Sequence, residues 1–265
     1  MKTSTTKHLL IDIDGTITQT DSTLEQEPGI GSDYFRGILR NLLAKKGKAA
    51  SREALDQIRE KEKPFNGCMF KTAPEMGIDA DAYWQAVTQW QEKHLTPYPD
   101  AVEMVRTLHA KGFQLYVVSN NSCQGILAKL HRAGLAQKEN TPYFKRIFGM
   151  DVFGRGFDKG NPVVPASILK MENLPPEDTA TVGDDLEQDG RIPAGAGIKK
   201  AFIIRRNQTT PFIPGENGIT FINDLRLICN LCRSKKRAVF PRLASSPVIP
   251  ANAGIQKRPV IHLPS

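Results

Sequence analysis

No stretch of this chain approaches the roughly 20 consecutive apolar residues of a membrane-spanning helix. Its first residues, MKTSTTKHLLIDIDG, hold no apolar run long enough for a secretory signal. Both absences set the expectation of a cytoplasmic protein with no membrane partner. Cysteine is scarce: Cys68, Cys123, Cys229 and Cys232 form no disulfide-like framework, which suits a reducing compartment. Cys229 and Cys232 make a C-x-x-C, yet no second pair completes a zinc site, so they read as small apolar residues on a terminal helix. His8, His94, His109, His131 and His262 lack metal-ligand spacing and receive no catalytic role. No internal repeat is visible.

Acidic residues are missing from one region. Residues 233–265, beginning RSKKRAVFPR, carry seven Lys/Arg and no Asp/Glu. The net charge of +8 therefore leaves 29 basic against 28 acidic side chains over residues 1–232, or +1. The body is neutral. The basic end is proline-rich and aperiodic and reads as a disordered tail. Its run SSPVIPANAGIQ resembles peptides translated from short repeats between bacterial genes, which implies an extension with no part in the chemistry. Nucleic-acid binding through this tail is the non-enzymatic alternative, and the neutral body argues against it.

What is present is ordinary for a folded α/β protein: 265 residues, 40% hydrophobic and 24% charged. KHLLID, FQLYVVSNN (113–121), TATVGDD (179–185) and KKAFIIRR (199–206) are short continuous apolar runs of the kind buried in a parallel sheet. YFKRIFGMDVFG is a further short candidate. Between them, PDAVEMVRTLHAKG and CQGILAKLHRAG are helical patterns closed by glycine. Alternating strands and helices predict a doubly wound, Rossmann-like parallel sheet. Residues 18–97 break the rhythm. They show no convincing strand, only amphipathic stretches such as YFRGILRNLLAKKG, SREALDQIREKEK with Ser51 as cap, and DADAYWQAVTQWQEKH. Tyr83, Trp84, Val87 and Trp90 sit at helical spacing and read as packing.

LLIDIDGTIT, residues 9–18, ends a greasy strand on two aspartates. Side chains two apart on a strand share a face, so Asp12 and Asp14 repel unless a cation, a shared proton or open water intervenes. Two other predicted strands also end on polar groups, Ser119/Asn120 and Asp184/Asp185. Ligands of open α/β sheets bind beyond those carboxyl ends. One such end is a common turn; three together suggest a site.

These residues carry a resemblance. DIDGT, VVSN, Lys159 in FDKGNPVVPASIL and VGDDLEQD resemble, in order, the four motifs of the haloacid dehalogenase-like (HAD) hydrolase superfamily, over roughly residues 8–226. The 24-residue step from Lys159 to Gly183 fits as well. The third motif departs from the family's frequent Lys-Pro-Asp-Pro, which leaves Lys170 and Arg155 as alternatives to Lys159. The resemblance implies a core of residues 1–17 and 98–232 and an all-helical cap, 18–97, inserted after the first strand.

It also implies Mg²⁺-dependent hydrolysis of a small phosphorylated metabolite through an aspartyl-phosphate. Asp12 would be the nucleophile and Asp14 the general acid and base. The Mg²⁺ ligands would be the Asp12 side chain, the Asp14 carbonyl and Asp184, with Asp185 and Asp189 behind them and not ranked by spacing. Ser119, Asn120 and Lys159 would hold the phosphoryl group. Gly15 would turn the chain past it and Thr16 brace the loop. A phosphomutase would use the same residues. Dehalogenation is disfavoured because that branch lacks the second aspartate of the first motif.

Overall fold

The computed structural model describes residues 6–21, 33–47, 52–154 and 158–232, all inside one compact unit, Met1–Lys235. Ser51, Arg155 and the 233–265 tail lie outside the described residues. The chain runs through β1 (His8–Ile11), β2 (Thr18–Thr20), helices α1 (Tyr34–Lys45), α2 (Arg52–Glu62), α3 (Met69–Glu75) and α4 (Ala80–His94), then β3 (Leu95–Pro97). It continues through α5 (Pro99–Ala110), β4 (Gln114–Val118), α6 (Cys123–Arg132), β5 (Arg146–Phe148), α7 (Val163–Glu172) and β6 (Thr179–Gly183). Last come α8 (Ile192–Gly195), β7 (Ala201–Ile204), β8 (Phe212–Pro214), β9 (Ile219–Ile222) and α9 (Ile228–Leu231).

Seven strands form one sheet in the order β5-β4-β1-β6-β7-β9-β8. β1 is central, with His8 opposite Gln114 of β4 and Thr179 of β6, both pairings parallel. Its apolar run is buried on both sides. Leu9 and Ile11 pack with Met104 and Leu108 of α5 and Ile126 and Leu130 of α6, while Leu10 packs with Ile168 and Leu169 of α7. This is why the run does not alternate with polar residues. β8 is antiparallel to β9 and closes the edge, a place where Pro214 is tolerated. Neither strand was expected from the sequence, because three or four residues give too short a pattern to read.

The segment between β1 and α5 is built of helices, with one addition. β2 and β3 pair antiparallel, Thr18 opposite Pro97, at the two ends of the segment. Asp33 caps α1 by accepting from the Arg36 N–H, and Asp79 caps α4 by accepting from the N–H groups of Asp81 and Ala82. Tyr83, Trp84, Val87 and Trp90 are all buried in one cluster with Tyr34, Leu39 and Met69, as their spacing predicted. Tyr34 and Trp90 stack at 4.0 Å. Ala128 of α6 belongs to the same cluster, so α6 packs on the sheet with one side and on the inserted helices with another. Cys229 and Cys232 are buried against the sheet. Among the described residues, no helix is long and apolar enough to cross a membrane.

Candidate active site

Beyond β1 the Asp12 N–H still donates to the Val182 carbonyl at 2.8 Å, which fixes Asp12 between the ends of β4 and β6. The chain then turns at Gly15, where φ is +74°, a conformation that glycine adopts without a Cβ clash. A Cβ there would also lie 2.2 Å from a carboxylate oxygen of Asp184, so glycine lets the two acidic loops touch. Gly183 plays the same part for Asp189, whose carboxyl carbon would lie 2.0 Å from an added Cβ. The resulting cleft is lined by Asp12, Asp14, Gly15, Ser119, Asn120, Asn121, Lys159, Asp184, Asp185 and Gln188.

Its floor is a buried charge cluster. Lys159 Nζ lies 2.6 Å from Asp12 Oδ1 and 2.6 Å from Asp189 Oδ1. The Thr16 hydroxyl, fully buried, donates to Asp12 Oδ2 at 3.1 Å. Asp12, Asp184 and Asp189 each present a carboxylate oxygen within 4.8 Å of the others. Burial pushes the Asp12 carboxyl up to about 7 against the lowering pull of Lys159. Burial likewise raises Asp184 and Asp189 above the usual carboxylate range. For Lys159 burial works downward, but Asp12 and Asp189 outweigh it and hold the ammonium above its ordinary value. One ammonium offsets at most one of three negative charges. Hard carboxylate oxygens gathered at that density fit a small divalent cation such as Mg²⁺.

The rim is arranged differently. Asp14 turns away from the three-carboxylate cluster; its Oδ1 accepts from Lys129 Nζ at 2.5 Å and its Oδ2 from Asn121 Nδ2 at 2.6 Å. Asn121 Nδ2 also donates to the buried Ser119 Oγ at 3.0 Å. Asn120 Oδ1 accepts from the Lys159 backbone N–H at 2.7 Å, tying the end of β4 to the lysine loop. Asp185 accepts from the N–H groups of Glu187 and Gln188 and caps the π-helical turn Leu186–Arg191, which carries Asp189 back beneath the end of β6. Spacing left Asp185 and Asp189 unranked; Asp189 is the one that reaches Lys159. Lys170 is exposed on α7, and Lys159 is the cation on Asp12.

A family model described as hydrolase, haloacid dehalogenase-like hydrolase, matches residues 6–197. The chain belongs to this family. Solved HAD-like structures superpose over most of it. A 2-haloacid dehalogenase from Pseudomonas syringae pv. Tomato DC3000 is 20% identical with TM-score 0.54, covering 85% of this chain and 97% of that one. A HAD phosphatase from Thermococcus onnurineus is 24% identical with TM-score 0.51 and the same coverage. A HAD-hydrolase from Bacillus subtilis bound to magnesium is 18% identical with TM-score 0.50, covering 86% of this chain and 99% of that one. At these identities the likeness is one of fold. A search of the curated proteins finds no match.

Four groups of this HAD-like site were not anticipated. Lys129 and Asn121 hold Asp14. Arg205 Nη1 donates to the Asp184 carbonyl, and Arg206 Nη2 donates to the Thr16 carbonyl at 2.9 Å while its guanidinium pairs with Asp100. KKAFIIRR read only as a buried strand; the sheet order shows that its end stands beside both acidic loops.

Proposed function

We propose that this HAD-like hydrolase cleaves small phosphomonoesters in a Mg²⁺-dependent reaction through an aspartyl-phosphate at Asp12. The observation that carries the reading is the pair of carboxylates with unlike surroundings in one cleft: Asp12, buried among Lys159, Asp184 and Asp189, and Asp14, reachable from solvent. Asp12 is fixed by Thr16 and Lys159, which suits a nucleophile that must meet phosphorus in line. Asp14, at the rim and open to solvent, would meet the leaving oxygen as general acid and then act as base toward water. The Ser119 hydroxyl and the Asn120 backbone N–H hold phosphoryl oxygens, and Lys159 offsets their charge. Asp12, Asp184 and the Asp14 carbonyl would hold Mg²⁺, with Asp189 steering Lys159. Bound there, Mg²⁺ would screen the repulsion between the Asp12 carboxylate and the phosphoryl group. A 2-haloacid loses a halide, which needs no proton, and so would have no need of a general acid at Asp14.

Residues 18–97 are proposed as a cap over a core of 1–17 and 98–232, with the cap selecting the substrate in the cytoplasm. The test is acid quenching during turnover of an aryl phosphate, followed by peptide mass spectrometry. Phosphate on the peptide containing Asp12, absent in Asp12→Asn, is expected. Turnover with phosphate on no residue, or on another one, refutes the reading.

A further inference from the structure

Lys129 is a buried cation that the proposed chemistry leaves unused. It sits in the last turn of α6 with 4% of its side chain exposed, yet its ammonium reaches Asp14, whose side chain is 44% exposed. A lysine is almost never this buried without a partner that requires it. Its surroundings come from two parts of the chain. Tyr34 and Phe35, at the start of α1, place their rings 5.7 and 5.9 Å from Nζ, a cation–π arrangement that roofs the ammonium. Below it, α6 is held on the sheet by Ile126 and Leu130. The inserted helices and the sheet therefore meet at one charged group.

We infer that Lys129 is a positioning residue that sets the direction of the Asp14 carboxylate, and that docking of α1 over it makes the acid–base step depend on the inserted helices. This rests on the phosphatase reading given above. Two donors define the carboxylate plane, Lys129 on Oδ1 and Asn121 on Oδ2. Removing one leaves the group free to rotate, which costs orientation and not charge on the nucleophile. Removing the roof lets water reach the ammonium and weakens the pairing. Asp12 is untouched in either case, since its partners are Thr16 and Lys159.

The experiment is a double-mutant cycle of Lys129→Met and Asp14→Asn, read on an alkyl phosphate and on an aryl phosphate with a good leaving group. Lys129→Met is expected to slow the alkyl ester about tenfold to a hundredfold, part of the range a general acid supplies, and to change the aryl ester by less than about threefold. Within Asp14→Asn it should add nothing further. Tyr34→Leu with Phe35→Leu should reproduce the selective loss in weaker form. Equal losses on both esters, or multiplicative losses in the double variant, overturn the inference. Melting temperature supplies a readout free of activity: the double variant should melt with Lys129→Met, and additive shifts overturn the contact itself. A wild-type chain with no phosphatase activity overturns the function reading, and this role for Lys129 with it, whatever the melting cycle shows.

Discussion

Two lysines each meet an aspartate of the same motif, in opposite settings. Lys159 and Asp12 are both buried, with side-chain exposure of 8% each, and Asp189 joins them. Lys129 is as buried, but Asp14 keeps 44% of its side chain in solvent. The first pair lies beyond the strand ends of the sheet and is surrounded by carboxylates whose ionisation burial opposes. The second joins the sheet to the inserted helices and leaves its carboxylate open to solvent. Burial thus separates the proposed nucleophile from the proposed general acid, although the residues are two apart in sequence.

The largest expected effect is at Asp12. Asp12→Asn should lower turnover by at least about 10³-fold on every ester, because no other group replaces a missing nucleophile. Asp14→Asn should lose about 10²–10⁴-fold on alkyl phosphates and far less on aryl ones. Similar losses for the two variants on both ester classes would erase the contrast.

The same substitution at each lysine separates the settings by stability. Lys159→Met leaves buried carboxylates uncompensated and should cost about 3–5 kcal/mol in chemical denaturation at pH 8. Lys129→Met leaves a hydrated Asp14 and should cost less than about 1 kcal/mol. Equal costs would mean that the two pairs are not different in kind.

A smaller effect concerns pH. Asp12 has a folded value of about 7 against 3.8 for the free side chain, with burial the leading cause. Its bound proton therefore adds stability that is fully present below 3.8 and is lost as pH rises through about 7. Asp184 and Asp189, raised in the same direction, act with the same sign. In chelator, melting temperature should fall between pH 4 and pH 7 relative to an Asp12→Asn variant, and Mg²⁺ affinity should rise over that interval because protons and cation compete. A parallel melting profile for the two proteins would remove the burial argument.

How much of this was legible in sequence follows the same division. Asp12, Ser119 and Asp184 stand at strand ends, where a local apolar run announces the site, and the central strands were read for the same reason; Lys159 lies in the loop before α7 and was legible only through the resemblance of FDKGNPVVPASIL. Asp189 could not be ranked above Asp185 because a π-helical turn, unlike an α-helical one, does not follow from spacing. Lys129 was invisible. In CQGILAKLHRAG it looks like a solvated helix position, since a single amphipathic stripe predicts one buried face and α6 has two. Gly125 and Ala128, small residues off the Ile126/Leu130 face, were the available sign of a second packing surface; a Cβ on Gly125 would meet Phe35 at 3.1 Å. β8 and β9, with three and four residues, offered too few positions for a pattern.

The central claim is that the buried carboxylates serve a phosphoryl group with Mg²⁺. It is tested most directly by assaying the metal-stripped chain against an aryl phosphate and a 2-haloacid, each in EDTA and in Mg²⁺. The account predicts phosphate release in Mg²⁺ alone, its loss in EDTA, recovery on adding the cation back, and no halide release under any condition. Full phosphate release in EDTA, or halide release without phosphate release, would contradict it.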